Sequence, residues 1–143
     1  MAWGELEDLE IFGTAERICD RVYKLVAEWT DFDRRAIGSQ MVRAADSIGA
    51  NIAESYGRYH YGEQIQFLYY ARGSIYELQF WLRRTGRRNL LPAETVANAL
   101  DLLNELAAKL NAYIRSIRNK RKSSPHKLAE DSFPYDIDTP FNQ

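Results

Sequence analysis

Apolar side chains recur every three or four positions along most of this chain, the spacing of one face of an α-helix. Ala15, Ile18, Val22, Leu25 and Trp29 predict a first helix over about residues 14–29, capped by Gly13 or Thr14. The stretch "TDFD" then interrupts the pattern. Asp33 can cap a second helix over about 34–57, with Ile37, Met41, Ala44, Ile48 and Ile52 as its buried stripe. Gly57 should close it, because glycine tolerates a left-handed helix end. Ile65, Leu68, Ala71, Ile75, Leu78 and Leu82 predict a third helix over about 62–85, stopping near Thr85 and Gly86. Pro92 fits the first turn of a fourth, over about 92–120, in which Val96, Ala99, Leu103, Leu106, Leu110, Tyr113 and Ile117 keep strict spacing.

Four amphipathic helices with short connections and no strand-like alternation predict an all-α protein, an up-down-up-down antiparallel four-helix bundle over residues 1–122. Residues 123–143 carry prolines and no sustained period, which predicts an irregular tail. The third helix is aromatic on several faces, at Phe67, Tyr69, Tyr70, Tyr76, Phe80 and Trp81. A helix apolar on most sides is usually covered on more than one, so a homo-oligomer is expected.

A chain of 143 residues with 45% hydrophobic side chains has the size and apolar content of one soluble domain. No apolar run approaches the roughly 20 residues of a membrane span, and the first twelve residues are acidic where a signal peptide would be basic and then apolar. No membrane association and a cytoplasmic location are therefore expected. The single Cys19 cannot form an internal disulfide and agrees with a reducing compartment. The overall charge of −1 hides an asymmetry: residues 1–33 carry −6, residues 34–122 carry +8 and residues 123–143 carry −3. A basic bundle flanked by acidic ends either binds a polyanion or neutralises itself.

In "RAADSIGANIAESYGR", Arg43, Ser47, Asn51, Glu54 and Arg58 follow steps of four, four, three and four and share one helix face. If the second and third helices turn near residue 60, residues whose numbers sum to about 120 lie at similar heights. Arg43 then falls level with Glu77, Ser47 with Gly73, and the stretch around Arg72, Gly73 and Ser74 becomes the counterpart of the polar row. The expectation is a polar seam that fixes helix register, with Arg43 and Glu77 as an ion pair across it and Glu54 and Arg58 as an i, i+4 pair. A ligand pocket and plain solvent exposure are the alternatives.

Catalytic and metal chemistry find little support. The residues three positions before the two histidines, His60 and His126, are Gly57 and Ser123, so the Glu-x-x-His pairs of di-iron bundles are missing. No phosphate-binding loop, zinc spacing or nucleophile elbow occurs, and Cys19, on the apolar stripe of the first helix with no histidine or arginine-rich environment beside it, is expected to be a core residue. No enzyme activity, cofactor or metal is expected.

The segments "SQMVRAADSIGANIAESYGR" and "QFLYYARGSIYEL" resemble the 23S rRNA intervening-sequence proteins, with the resemblance extending over about residues 9–118. Matching positions are Arg43, Ala44, Ser47, Ile48, Asn51, Ile52, Ala53, Glu54, Gly57 and Arg58, then Ala71, Arg72, Gly73, Ser74 and Glu77. The chain departs at Gly49, where proline is frequent, at Ser55, where glycine is usual, and at Asp33, where a proline commonly precedes the helix. The resemblance implies a small bacterial four-helix bundle assembling as a ring-like homopentamer. More distantly, the chain is similar to the accessory protein of diversity-generating retroelements, which implies reverse transcriptase and nucleic acid as partners.

An up-down bundle gathers Arg34, Arg35, Arg83, Arg84, Arg87 and Arg88 at one pole, facing only Glu28, Asp31 and Asp33. The opposite pole collects Arg58, Arg115, Arg118, Lys120, Arg121 and Lys122 together with the acidic N-terminus. Cations at helix C-termini complement the helix dipole, but Arg34 and Arg35 sit at a helix start, where cations are disfavoured. The first pole is therefore the expected binding surface for RNA or DNA backbone. The alternative is a scaffold that binds another protein, through Tyr59 and Tyr61 or through Phe133, Tyr135 and Phe141 of the tail.

Overall fold

The computed structural model describes Leu6 and residues 9–123, and the expected tail lies outside the described residues. Four long helices form an antiparallel bundle: α1 (Glu10–Ala27), α2 (Ser39–Gly57), α3 (Tyr61–Arg87) and α4 (Ala93–Ser123). Their apolar stripes converge on one core in which Met41, Ile48, Ile65, Leu68, Ile75, Leu78 and Leu110 are wholly inaccessible to solvent. The period of three and four residues thus becomes a buried seam on each helix.

Helix boundaries differ from the expectation in ways that follow from local chemistry. Helix α1 begins at Glu10, several residues early, because Ile11 and Phe12 extend its buried stripe and Leu6 packs with them. The helix stops at Ala27 and restarts within "TDFD", at Asp31. Thr30, not Asp33, is the cap: its hydroxyl accepts from the Asp33 backbone N–H at 3.2 Å and donates to the Asp33 carboxylate at 3.0 Å. The Thr30 hydroxyl thus satisfies one of the otherwise unpaired N–H groups at the helix start. The turn Asp31–Asp33 runs through a π-helical turn, Arg34–Gly38, directly into α2.

Gly57 does not adopt a left-handed conformation; α2 ends when Arg58 turns extended (φ −84°, ψ 143°). Gly86 likewise stays helical, and α3 runs on to Arg87. Asn89 takes the left-handed position instead, with φ 57°. The Leu90 N–H reaches the Thr85 carbonyl at 2.9 Å and the Asn89 N–H reaches Gly86 at 3.2 Å, the two bonds of a Schellman ending.

The contact between α2 and α3 is the most extensive in the bundle, followed by α3 with α4 and α1 with α2, whereas α1 and α4 meet over a small part of their length. The last contact is tied at one end by an ion pair between Glu10 and Lys109. No helix among the described residues is long and apolar enough to cross a membrane.

Candidate nucleic-acid interface

Arg43 and Glu77 do not join α2 to α3 as expected. Arg43 and Glu77 are both exposed, and no ion pair joins them among the described residues. Shared height along two helices is not sufficient, because azimuth decides contact. The row of Arg43, Ser47 and Asn51 precedes the buried row of Ala44, Ile48 and Ile52 by one residue, which is about 100° around the helix. It therefore flanks the α2/α3 contact, which aliphatic side chains fill.

The members of the row satisfy themselves locally. Asn51 Nδ2 donates to the Ser47 carbonyl at 2.9 Å, and Arg58 pairs with Glu54 one turn away. On α3, Ser74 Oγ donates to the Tyr70 carbonyl at 3.1 Å, Glu77 accepts a long bond from Trp81 Nε1 at 3.4 Å, and Gly73 is exposed. Arg72 turns to α4, donating to Asn111 Oδ1 at 3.2 Å with its guanidinium 4.7 Å from the Tyr69 ring centre.

Besides the Arg72 bond to Asn111 and the Glu10 to Lys109 pair, the polar bonds that cross between helices are made by Ser55, Gln64, Gln79 and Asn104 side chains, with the Arg58 carbonyl as the one acceptor from the row. Ser55 Oγ donates to the Gln64 carbonyl at 2.8 Å, Gln64 Nε2 donates to the Arg58 carbonyl at 2.8 Å, and Gln79 Nε2 donates to Asn104 Oδ1 at 2.8 Å. Asn104 and Asn111 stand seven residues apart on α4, a heptad step that a search for polar periodicity on that helix would have found.

The first pole is built by two elements, the π-helical turn that leads into α2 and the end of α3. The Ser55 to Gln64 bond sets an antiparallel register that carries the turn with Arg34 and Arg35 to the level of the last turn of α3, which bears Arg83, Arg84, Arg87 and Arg88. Arg34, Arg83, Arg87 and Arg88 are exposed and make no ion pair among the described residues. Arg35 pairs with Asp31 at 2.9 Å, but both side chains are mostly exposed, at 80% and 66%, so the pair holds Arg35 weakly. Arg84 is half-buried with its guanidinium 5.5 Å from the Phe80 ring centre, and its Nε is buried with no hydrogen-bond partner among the described residues.

At the second pole Arg115, Lys120 and Lys122 are exposed, while Arg58 and Arg118 lie against aromatic rings. Arg58 lies 4.8 Å from the Phe67 ring centre, and Arg118 lies 5.5 Å from Tyr69. Cation–π contacts and ion pairs of this kind hold guanidinium groups against the protein. Cys19 shows no activation either: burial raises its thiol pKa first, and the Asp20 and Asp46 carboxylates add to the rise.

The family described as 23S rRNA-intervening sequence protein matches residues 7–112, well over half of the chain. The chain belongs to that family. A solved structure of a protein of unknown function from the S23 ribosomal protein family of Bacteroides thetaiotaomicron is similar to it, with 21% identity and a TM-score of 0.66. The similarity covers 73% of this chain and 97% of that one, and at this identity it supports the fold alone. No relative with a curated description matches the chain. The match of the 23S rRNA-intervening sequence family to residues 7–112 takes in the first pole whole and stops before Arg115 to Lys122 of the second.

Proposed function

We propose that this family member is a non-enzymatic, cytoplasmic oligomer that binds RNA or DNA backbone through the pole bearing Arg34, Arg35, Arg83, Arg84, Arg87 and Arg88. The observation that carries this reading is the exposure of Arg34, Arg83, Arg87 and Arg88 without ion-pair partners among the described residues. The C-terminal dipole of α3 accounts for cations in its last turn, but Arg34 stands one turn from the Thr30 cap, near the helix start, where the dipole does not favour a cation. A cation at an unfavourable position is better explained by an outside anion than by the helix.

Oligomeric assembly is part of the same proposal. Tyr76 and Phe80 stand one turn apart on α3 and are 49% and 50% exposed, giving an apolar strip suited to a second copy. A homopentamer, implied by the family resemblance, would repeat the arginine pole around a ring and multiply phosphate contacts without base-specific readout. The second reading, a scaffold for a protein partner such as a reverse transcriptase, draws on Tyr59, which is 75% exposed in the α2/α3 turn. Equilibrium binding of labelled RNA and duplex DNA between about 50 and 200 mM salt tests the first reading: affinity should fall steeply, by roughly tenfold per two to three phosphates contacted. Salt-independent or absent binding would leave the scaffold reading.

A further inference from the structure

The limited meeting of α1 and α4 leaves a cavity of about 180 Å³ between them, near the end where α1 finishes and α4 starts. Its floor is Ile18, Val22, Leu78, Leu82 and Leu103, all buried core side chains. Its rim is polar and of one sign: Arg17 and Arg21 from α1, one turn apart on the same face, and Thr95 and Asn98 from α4. None of the described residues lining it is a carboxylate.

We propose that this cavity is a binding site for a small amphipathic carboxylate, an acid with an apolar body of about six to eight carbons. Size sets the body: an apolar cavity of about 150 Å³ accepts benzene, so this one admits a group slightly larger. Charge sets the head. Arg21 makes no hydrogen bond or ion pair among the described residues, and Arg17, which donates one N–H to Thr14 Oγ1 at 3.1 Å and lies within electrostatic reach of Glu10, keeps further donors. Two arginines one turn apart over an apolar floor match a carboxylate followed by a hydrocarbon, since arginine binds carboxylates in a fork geometry. Glu10 and Glu105, which would repel such a head group, line an adjoining polar groove together with Lys109 and Arg17, and neither lines the cavity itself.

The site is independent of the arginine pole, so each can fail alone. Sodium octanoate titrated into the full chain by calorimetry should bind one molecule per chain, with acetate silent because it lacks the apolar body. In the double variant Arg17→Ala, Arg21→Ala, octanoate affinity should drop about tenfold or more while 1-octanol binding is unchanged. Ala99→Phe, which fills the cavity from α4, should abolish octanoate binding. Octanoate binding no better than acetate, or binding unaffected by loss of the two arginines, would overturn the proposal. If Ala99→Phe fails to fold, the double variant decides, since both its positions are exposed.

Discussion

The Ser55 hydroxyl donates a 2.8 Å hydrogen bond to the backbone carbonyl of Gln64, joining the last turn of α2 to the first turn of α3. Ser55 is 2% exposed, so water cannot replace the bond. Ser55→Ala should lower unfolding free energy by about 0.5–1.5 kcal/mol. Urea unfolding at fixed protein concentration measures it; an unshifted midpoint would show that the bond contributes nothing to holding the hairpin closed.

Gly38, at the end of the π turn, packs against Val26 of α1. A Cβ there would lie 2.6 Å from Val26 Cγ1, and Val26 is a β-branched residue with little rotamer freedom in a helix. Gly38→Ala gains up to about 1 kcal/mol of helix propensity but incurs an overpacking cost of about 1–3 kcal/mol, so the net change should be destabilising. At Gly73 a Cβ meets nothing within 4 Å, and Gly73→Ala should stabilise the single chain by about 0.5–1 kcal/mol. Thermal melts of the two variants should move in opposite directions.

Cys19 should behave as a packing residue. Burial, then the carboxylates of Asp20 and Asp46, raise its pKa above the ordinary 9.0, so the neutral thiol dominates at pH 8. Iodoacetamide should alkylate it more slowly than free cysteine, with the rate still rising above pH 9. A rate equal to free cysteine at pH 8 would contradict the raised pKa.

The Glu10 to Lys109 pair closes one end of the α1/α4 groove. Its hydrogen bond and charge hold the Glu10 carboxyl below its ordinary 4.5 and Lys109 above its ordinary 10.5. A depressed carboxylate contributes stability that is present above pH 4.5 and lost as pH falls through the folded value; the raised lysine contributes stability that is present below 10.5 and lost above its folded value. Both groups are exposed, so the effect on stability is small. NMR titration of Glu10 should give a midpoint below 4.5 that returns toward it in Lys109→Met.

The four helices are legible in the sequence because burial imposes a period, and Ile48, Leu68 and Leu103 sit where spacing puts them. Their ends are less legible. Gly57 and Gly86 have the residue type of left-handed caps, yet Gly86 packs against Val96 as part of the helix and Asn89, three residues on, takes that role. The Thr30 cap is hidden because "TDFD" has the composition of a break, although its first and fourth residues bond each other. At the polar row, sequence gives height along a helix from residue number but rotation only from the buried stripe, and one residue of rotation takes Arg43 out of the contact. The arginine pole is insensitive to such errors because it depends only on which helix ends share a side of the bundle.

Salt dependence of nucleic-acid affinity in the variant Arg83→Ala, Arg84→Ala, Arg87→Ala, Arg88→Ala tests the central proposal most directly. Helicity measured by circular dichroism should match the parent, since three of the four side chains are exposed and only Arg84 packs, on Phe80. For duplex DNA, the slope of log affinity against log salt should become shallower by about 0.9 for each phosphate that the variant no longer neutralises, and affinity at low salt should fall with it. An identical slope and affinity in a folded variant would contradict a phosphate-binding pole.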